Sequence, residues 1–260
     1  MFDTEKEAAF SMLIDEVCDF LLPAAAAAVV EDVRVGLGYT AVRLDGGRCG
    51  LAYTFRDEIP AGCCVINSAG TLTGRRASDL AVWARSPDPV AAAVGLATLN
   101  ALTGVPPGAA DEDLLTELRV TSNDAVGMVG YFGPLIEPLR TLSKALHIFE
   151  RRPDAGPGVL SEAAAAEILP ECHLVILSAT ALLNRTLDDL LVHCRNAREV
   201  AILGPSTPLL PGIFADRGVT LLSGVHVMDA ESVLRIVSEG GGTRQLRTGI
   251  RKLTLRCASR

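Results

Sequence analysis

Apolar and polar positions follow two rhythms along the chain, and the change between them near residue 120 predicts its organisation. The first part opens at helical period, with Phe10, Leu13, Ile14, Val17 and Leu21 spaced for one buried face. Thr4 and Glu7 have capping-box spacing ahead of it, and Pro23 is expected to end it. The run Ala24–Ala28 reads as a further helical turn or a packed connector. Three strands follow at Val29–Leu37, Thr40–Leu44 and Arg48–Phe55, the last two joined by Asp45-Gly46-Gly47, a hairpin turn with glycine where positive φ is needed. Arg56–Gly74 is polar and punctuated, a loop that holds the vicinal pair Cys63-Cys64. Ser78–Ala84 predicts a short helix. Asp88-Pro89 then caps and opens a longer one through Val90, Val94, Ala97 and Ala101, which stops at Gly104. Asp111–Leu118 predicts a short acidic helix. Strands followed by helices without alternation make an α+β unit.

Beyond Val120–Asp124 strands and helices alternate. Strand 125–129, helix 134–145 and strand 146–149 are followed by a loop over 151–158, a helix over 161–169 and a strand over 172–178. A helix over 186–194, strands at 200–203 and 219–222, a helix over 230–239 and a closing strand over 246–255 complete the pattern. Alternation of this kind predicts a parallel, Rossmann-like sheet with right-handed crossovers. The fold class expected is therefore α/β, with an α+β unit at 1–121 and a Rossmann-like unit at 122–260. No internal repeat is apparent.

Composition narrows the function. A chain of 260 residues, 49% hydrophobic with mean hydropathy +0.32, can build a sizeable core. A net charge of −7 argues against nucleic acid or an anionic membrane as partner. The C-terminal arginines read as a solvated face. Asp3, Glu5 and Glu7 occupy the place of a signal peptide's positive segment, and no apolar run reaches about 18 residues, so a cytoplasmic protein is expected. Seven cysteines without a Cys-x-x-Cys fit reduced thiols.

In an open α/β sheet, ligands bind beyond the carboxyl ends of the strands. That selects Gly130 and Tyr131, Glu150, the 178–186 loop with Thr180, Asn184 and Thr186, the 204–206 loop with Gly204 and Ser206, and Gly224. Tyr39 and Thr40 join them from the first unit, after Gly36 and Gly38. Gly127-x-x-Gly130-x-x-Gly133 could offer backbone amides to an anion at a helix N-terminus, with Glu150 about 20 residues on where a ribose-binding acid stands. Tight turns alone would also explain these glycines, since the Gly-x-Gly of a dinucleotide fingerprint is missing. Glu150 could instead pair with Arg151 or Arg152, and Thr186 could simply cap a helix. His147, His173, His193 and His226 lie on separate elements with no His-x-x-x-His pair, and His193 suits a helix C-terminus. Cys63-Cys64 could grip a soft metal or sit unpaired in its loop. No Gly-x-Ser-x-Gly surrounds a serine.

The spaced set Val35-Gly36-Leu37-Gly38-Tyr39-Thr40, Ala97-Thr98-Leu99-Asn100-Ala101, Val126–Phe132, Phe149-Glu150, Ala181–Thr186, Leu203–Pro208 and Ser223-Gly224 resembles the bacterial and archaeal putative heavy-metal chelation family. The resemblance covers nearly the whole chain. It implies an enolase-N-terminal-like domain fused to a Rossmann-like one, with a site in the cleft between them. A divalent or heavy-metal ion, or a metal-chelating small molecule, is the ligand it implies. Two positions depart from the pattern: Ser178-Ala179-Thr180 stands where Thr-Gly-Thr is usual, and Arg185 replaces a small residue. The family supplies no catalytic residues. An enzyme of transferase type using an adenosine cofactor at Gly127–Gly133 is the alternative. A scaffold that forms a homodimer through its first domain is a third reading.

Overall fold

A computed structural model describes residues 11–59, 61, 64–151 and 156–257. The capping pair Thr4 and Glu7, and Cys63 of the vicinal pair, lie outside the described residues. Helix α1 (Leu13–Ala27) buries Leu13, Ile14, Val17, Cys18, Leu21 and Ala25 along one stripe. It does not end at Pro23, which lies inside it. The burial of Ala25 and Ala28 on the same face holds the last turn in place despite the missing N–H.

Strands β1 (Val30–Val35), β2 (Tyr39–Leu44) and β3 (Cys49–Tyr53) form an antiparallel sheet in that order. Gly46 and Gly47 turn the β2–β3 hairpin at φ 70° and 78°. Helix α2 (Ala77–Ala81) continues as a 3-10 turn, and α3 (Pro89–Leu102) packs on this sheet. Asp88 caps α3 by accepting the N–H groups of Val90 and Ala91 at 3.0 and 2.8 Å. Helix α4 (Leu114–Leu118) starts later than the acidic run suggests, because Asp113 is its cap.

A seven-stranded sheet holds the remainder. Its strands are β4 (Ala125–Val129), β5 (Ala145–Glu150), β6 (Val159–Ser161), β7 (Leu174–Ser178), β8 (Glu199–Leu203), β9 (Leu221–Val227) and β10 (Ile250–Arg256), in spatial order 10-9-8-7-4-5-6. All neighbours are parallel except β9 and β10, so the closing strand runs against the others. The chain moves outward from β4 through β5 to β6, then returns to place β7 on the other side of β4. Val126, Met128, Val175, Ile176 and Leu177 are buried, as strands covered on both faces must be. Helices α5 (Gly133–Leu142), α6 (Ala165–Ile168), α7 (Thr180–Leu183), α8 (Leu187–His193), α9 (Pro211–Ala215), α10 (Ala230–Ser238) and α11 (Thr243–Leu246) fill the connections.

Several short pieces depart from the periodicity reading. Strand β6 lies between the expected loop over 151–158 and the expected helix over 161–169, and that helix is two 3-10 turns around the four-residue α6. Three or four residues give no measurable period, and β6 is paired only at the sheet edge. The same brevity conceals α7, α9 and α11. No helix among the described residues is long and apolar enough to cross a membrane.

Candidate functional site

The outward and returning halves of the large sheet diverge between β4 and β7, and a crevice at the carboxyl ends of such strands is where open α/β sheets take ligands. Gly130 follows β4 at φ 101°, and a Cβ there would lie 3.0 Å from Cβ of Ser178 at the end of β7. Ser178 Oγ lies 2.8 Å from Thr180 Oγ1 within the turn that follows β7. The 130 turn and the 178–180 turn thus meet. Gly127 does something else. Its missing Cβ makes room for Leu169 Cδ2 and Cys172 Sγ, at 2.5 and 3.2 Å from the ideal position, so helix and strand pack through it.

Beside the crossover, the ends of β5 and β6 face α8 across an open groove of about 440 Å³. One stripe of α8, Thr186, Asp189, Leu190 and His193, forms a wall. Ser161, Glu162 and the alanines at 163, 165 and 166 form the other, and Arg151 stands at its end. Asn184 accepts from both N–H and Oγ of Thr186 at 3.3 and 2.9 Å, so the Thr186 hydroxyl is oriented by Asn184 and caps nothing. Glu150 accepts the Arg151 N–H at 3.2 Å. Burial pushes the Glu162 carboxyl up, Glu150 and Glu58 add to that, and Arg151 opposes it. The groove is rich in carboxylate.

Arg151 also ties the first unit to the second. Its Nη1 donates to Glu58 at 2.7 Å, and its guanidinium lies 5.7 Å from the centre of the Phe55 ring. Phe55 meets Tyr53 edge-on at 5.2 Å, and Tyr53 meets Tyr39 at 5.9 Å. Tyr39 is buried at the far end of this ladder, its hydroxyl 3.0 Å from Thr243, and burial pushes its phenol up.

Of the remaining expected site residues, Thr40, Ser206 and Gly224 face packed structure. Thr40 is fully buried and paired with the Thr54 hydroxyl at 2.9 Å. Ser206 is buried, its Oγ accepting from Tyr53 N at 2.8 Å and its carbonyl from Asn100 Nδ2 at 3.2 Å. It therefore joins the two sheets. Gly224 lies inside β9 under Leu209 and Thr207, where a Cβ would have 3.0 to 3.2 Å. Gly204 turns the end of β8 at φ 131°. Tyr131 is half exposed and lines a second hollow of about 230 Å³ with Ile136, Arg140 and Ile148.

Arg151, Glu162, Asp189 and His193 were not singled out as ligand-facing by sequence. Thr186, Asp189, Leu190 and His193 do stand at i, i+3, i+4 and i+7, which was the available clue.

A family model described as putative heavy-metal chelation matches residues 113–256, and a second with the same description matches residues 18–103. A crystal structure of a protein of unknown function from Desulfitobacterium hafniense, assigned to the first of these families, superposes with a TM-score of 0.78 at 27% identity, covering 94% of this chain and 98% of that one. Another family member of unknown function, from Pyrococcus horikoshii, shares the fold with a TM-score of 0.84 at 23% identity, covering 94% and 100%. An uncharacterised protein of Methanocaldococcus jannaschii is 29% identical over 141 residues, 52% of this chain and 54% of its own length. The chain thus spans about half the length of that curated relative.

Proposed function

The chain belongs to the putative heavy-metal chelation family, and on that premise we propose that it binds a heavy metal, or a metal-chelating small molecule, where the carboxyl ends of β4 to β7 meet the first unit. One observation supports this place above others. The β4–β7 crossover, with Gly130 against Ser178, opens beside a groove lined by Thr186, Asp189, His193 and Glu162. Carboxylates and an imidazole suit a cation, and hydroxyls on Thr180 and Thr186 suit a polar organic ligand. The division into domains at 121/122 belongs to the same proposal.

The test is thermal unfolding of metal-stripped protein against divalent metals and, separately, adenosine cofactors. A ligand at about 100 times its dissociation constant adds roughly 2.7 kcal/mol and raises the midpoint. A metal response that weakens in Glu150→Ala supports the reading. Silence toward every metal, free or chelated, overturns it.

A second reading, an enzyme using an adenosine cofactor, draws on Gly130 at φ 101° with Glu150 on the adjacent strand end. Gly127 lends it nothing, because that glycine serves packing. A response to adenosine cofactors alone would favour it.

A further inference from the structure

We infer that the groove between residues 161–166 and α8 takes its metal as a cationic small-molecule chelate, with Asp189 and His193 as the two protein donors. The inference rests on the metal-linked reading above and narrows it.

The donors lining the groove point away from capture of a bare heavy-metal ion, since no described cysteine is among them. Soft metals select thiolates. Cys18, Cys49, Cys172 and Cys194 are buried on separate elements. The thiols of Cys172 and Cys194 donate to the Ile168 and Leu190 carbonyls at 3.5 and 3.1 Å. Among the described residues no three His, Cys, Asp or Glu side chains converge closely enough to hold an ion. A bare ion bound by two side chains would keep most of its water and bind weakly. An ion whose other positions are already filled by a chelator needs only those two.

Asp189 and His193 supply such a pair. They stand one turn apart on α8, where side chains are neighbours, and both line the groove. Neither side chain has a hydrogen-bond or ion-pair partner among the described residues. Two of the other three histidines are placed differently: His173 Nδ1 accepts Ala125 N–H at 3.0 Å, and His226 is desolvated beside Arg251. Charge sets the preference for a cation. Glu162 and Asp189 line the groove and Glu150 lies near Glu162, whereas the one guanidinium among its described lining residues, Arg151, is paired with Glu58. Ala163, Ala166 and Leu190 offer an apolar floor to the chelator's carbon frame.

The test uses the untagged full chain and calorimetric titration with three probes: aqueous Ni²⁺, its dicationic complex with tris(2-aminoethyl)amine, and its anionic complex with nitrilotriacetate. Both complexes leave adjacent coordination positions open. The expected result is binding of the dicationic complex, weakened about tenfold or more in His193→Gln and in Asp189→Asn, with the anionic complex weaker. The nickel visible spectrum should shift on binding in wild type and not in His193→Gln. Binding of the complex that is unchanged in both variants overturns the inference, as does tighter binding of aqueous Ni²⁺ than of the complex. Equal binding of the two complexes overturns the cationic assignment. In each of those cases a metal still binds, so the wider reading survives; absence of binding by every form counts against both.

Discussion

Asp188, on the first turn of α8, accepts the backbone N–H of Leu13 at the start of α1, with its two oxygens at 3.1 and 3.2 Å. These residues are 175 positions apart, so a carboxylate of the second unit caps a helix of the first. Arg217 reinforces the join, donating to Asp188 at 3.1 Å and pairing with Glu16. Helix α1 lacks a side-chain cap of its own, since Met12 precedes it.

Asp188→Ala should therefore destabilise the protein by about 1–2 kcal/mol, the usual range for a lost helix cap. Asp188→Asn keeps an acceptor and should cost less, losing mainly the attraction to Arg217. Urea unfolding midpoints of the two variants check the order. Equal losses would mean that charge, not capping, holds the join.

Two neighbouring glycines should fail in different ways. Gly130→Ala places a side chain at φ 101° and 3.0 Å from Ser178 Cβ, a backbone strain of order 1–3 kcal/mol located at the crossover. Gly127→Ala drives a methyl to within 2.5 Å of Leu169 Cδ2, overpacking a core that commonly charges about 1–3 kcal/mol. Both variants should melt lower. Only Gly130→Ala should also weaken ligand binding beyond what its loss of stability explains, read by titration at a temperature where both are folded.

That contrast marks what a sequence of this kind makes legible. The run Ala125–Val129 is apolar, short and bounded by turn residues, and strand β4 has those bounds. Asp88-Pro89 opens α3 because capping and a missing N–H are local chemistry. The glycine spacing at 127, 130 and 133 looks uniform, yet one member packs a helix, one turns at the crossover and one opens α5. What each glycine touches depends on Leu169, Cys172 and Ser178, which are remote in sequence. The groove was illegible for the same reason. Glu162 follows a three-residue edge strand with no period to detect, and His193 looks like an ordinary helix-terminal histidine until α8 is placed opposite it.

At the opposite end of the strands, Asp124 is nearly buried and held by Arg198, with Nη2 to Oδ2 at 2.7 Å, while Thr121 donates through N–H and Oγ at 2.7 and 2.9 Å. Arg198 beside it holds the Asp124 carboxyl well below the usual carboxylate range; burial opposes this, and the Thr121 bonds assist. A depressed folded-state value means that the stabilisation is present above the unfolded value of about 3.9. It is lost as the pH falls below that toward the folded value. Asp124→Asn should thus lower stability at pH 7 by about 2 kcal/mol and flatten its decline between about pH 5 and 2. A decline as steep as wild type would assign acid sensitivity to other carboxylates.

Arg151 permits a sharper separation of ligand from fold. Its pair with Glu58 is substantially exposed, with side-chain accessibilities of 42% and 39%, and such pairs contribute about 1 kcal/mol or less. The Phe55 contact adds about 0.5–1 kcal/mol at such a site. Arg151→Ala should therefore leave the melting midpoint nearly unchanged. It frees Glu58 beside a groove already lined by Glu162 and Asp189, so a cationic ligand should bind more tightly and an anionic one more weakly. Arg151→Lys keeps the charge but loses the planar face that stacks on Phe55, so its affinities should stay near wild type. Raising the salt concentration should shrink the difference between Arg151→Ala and wild type, because the effect is long-range charge in a solvent-open groove. If Arg151→Ala instead weakens a cationic chelate, then Arg151 contacts the ligand directly, through hydrogen bonds to the chelator rather than through charge.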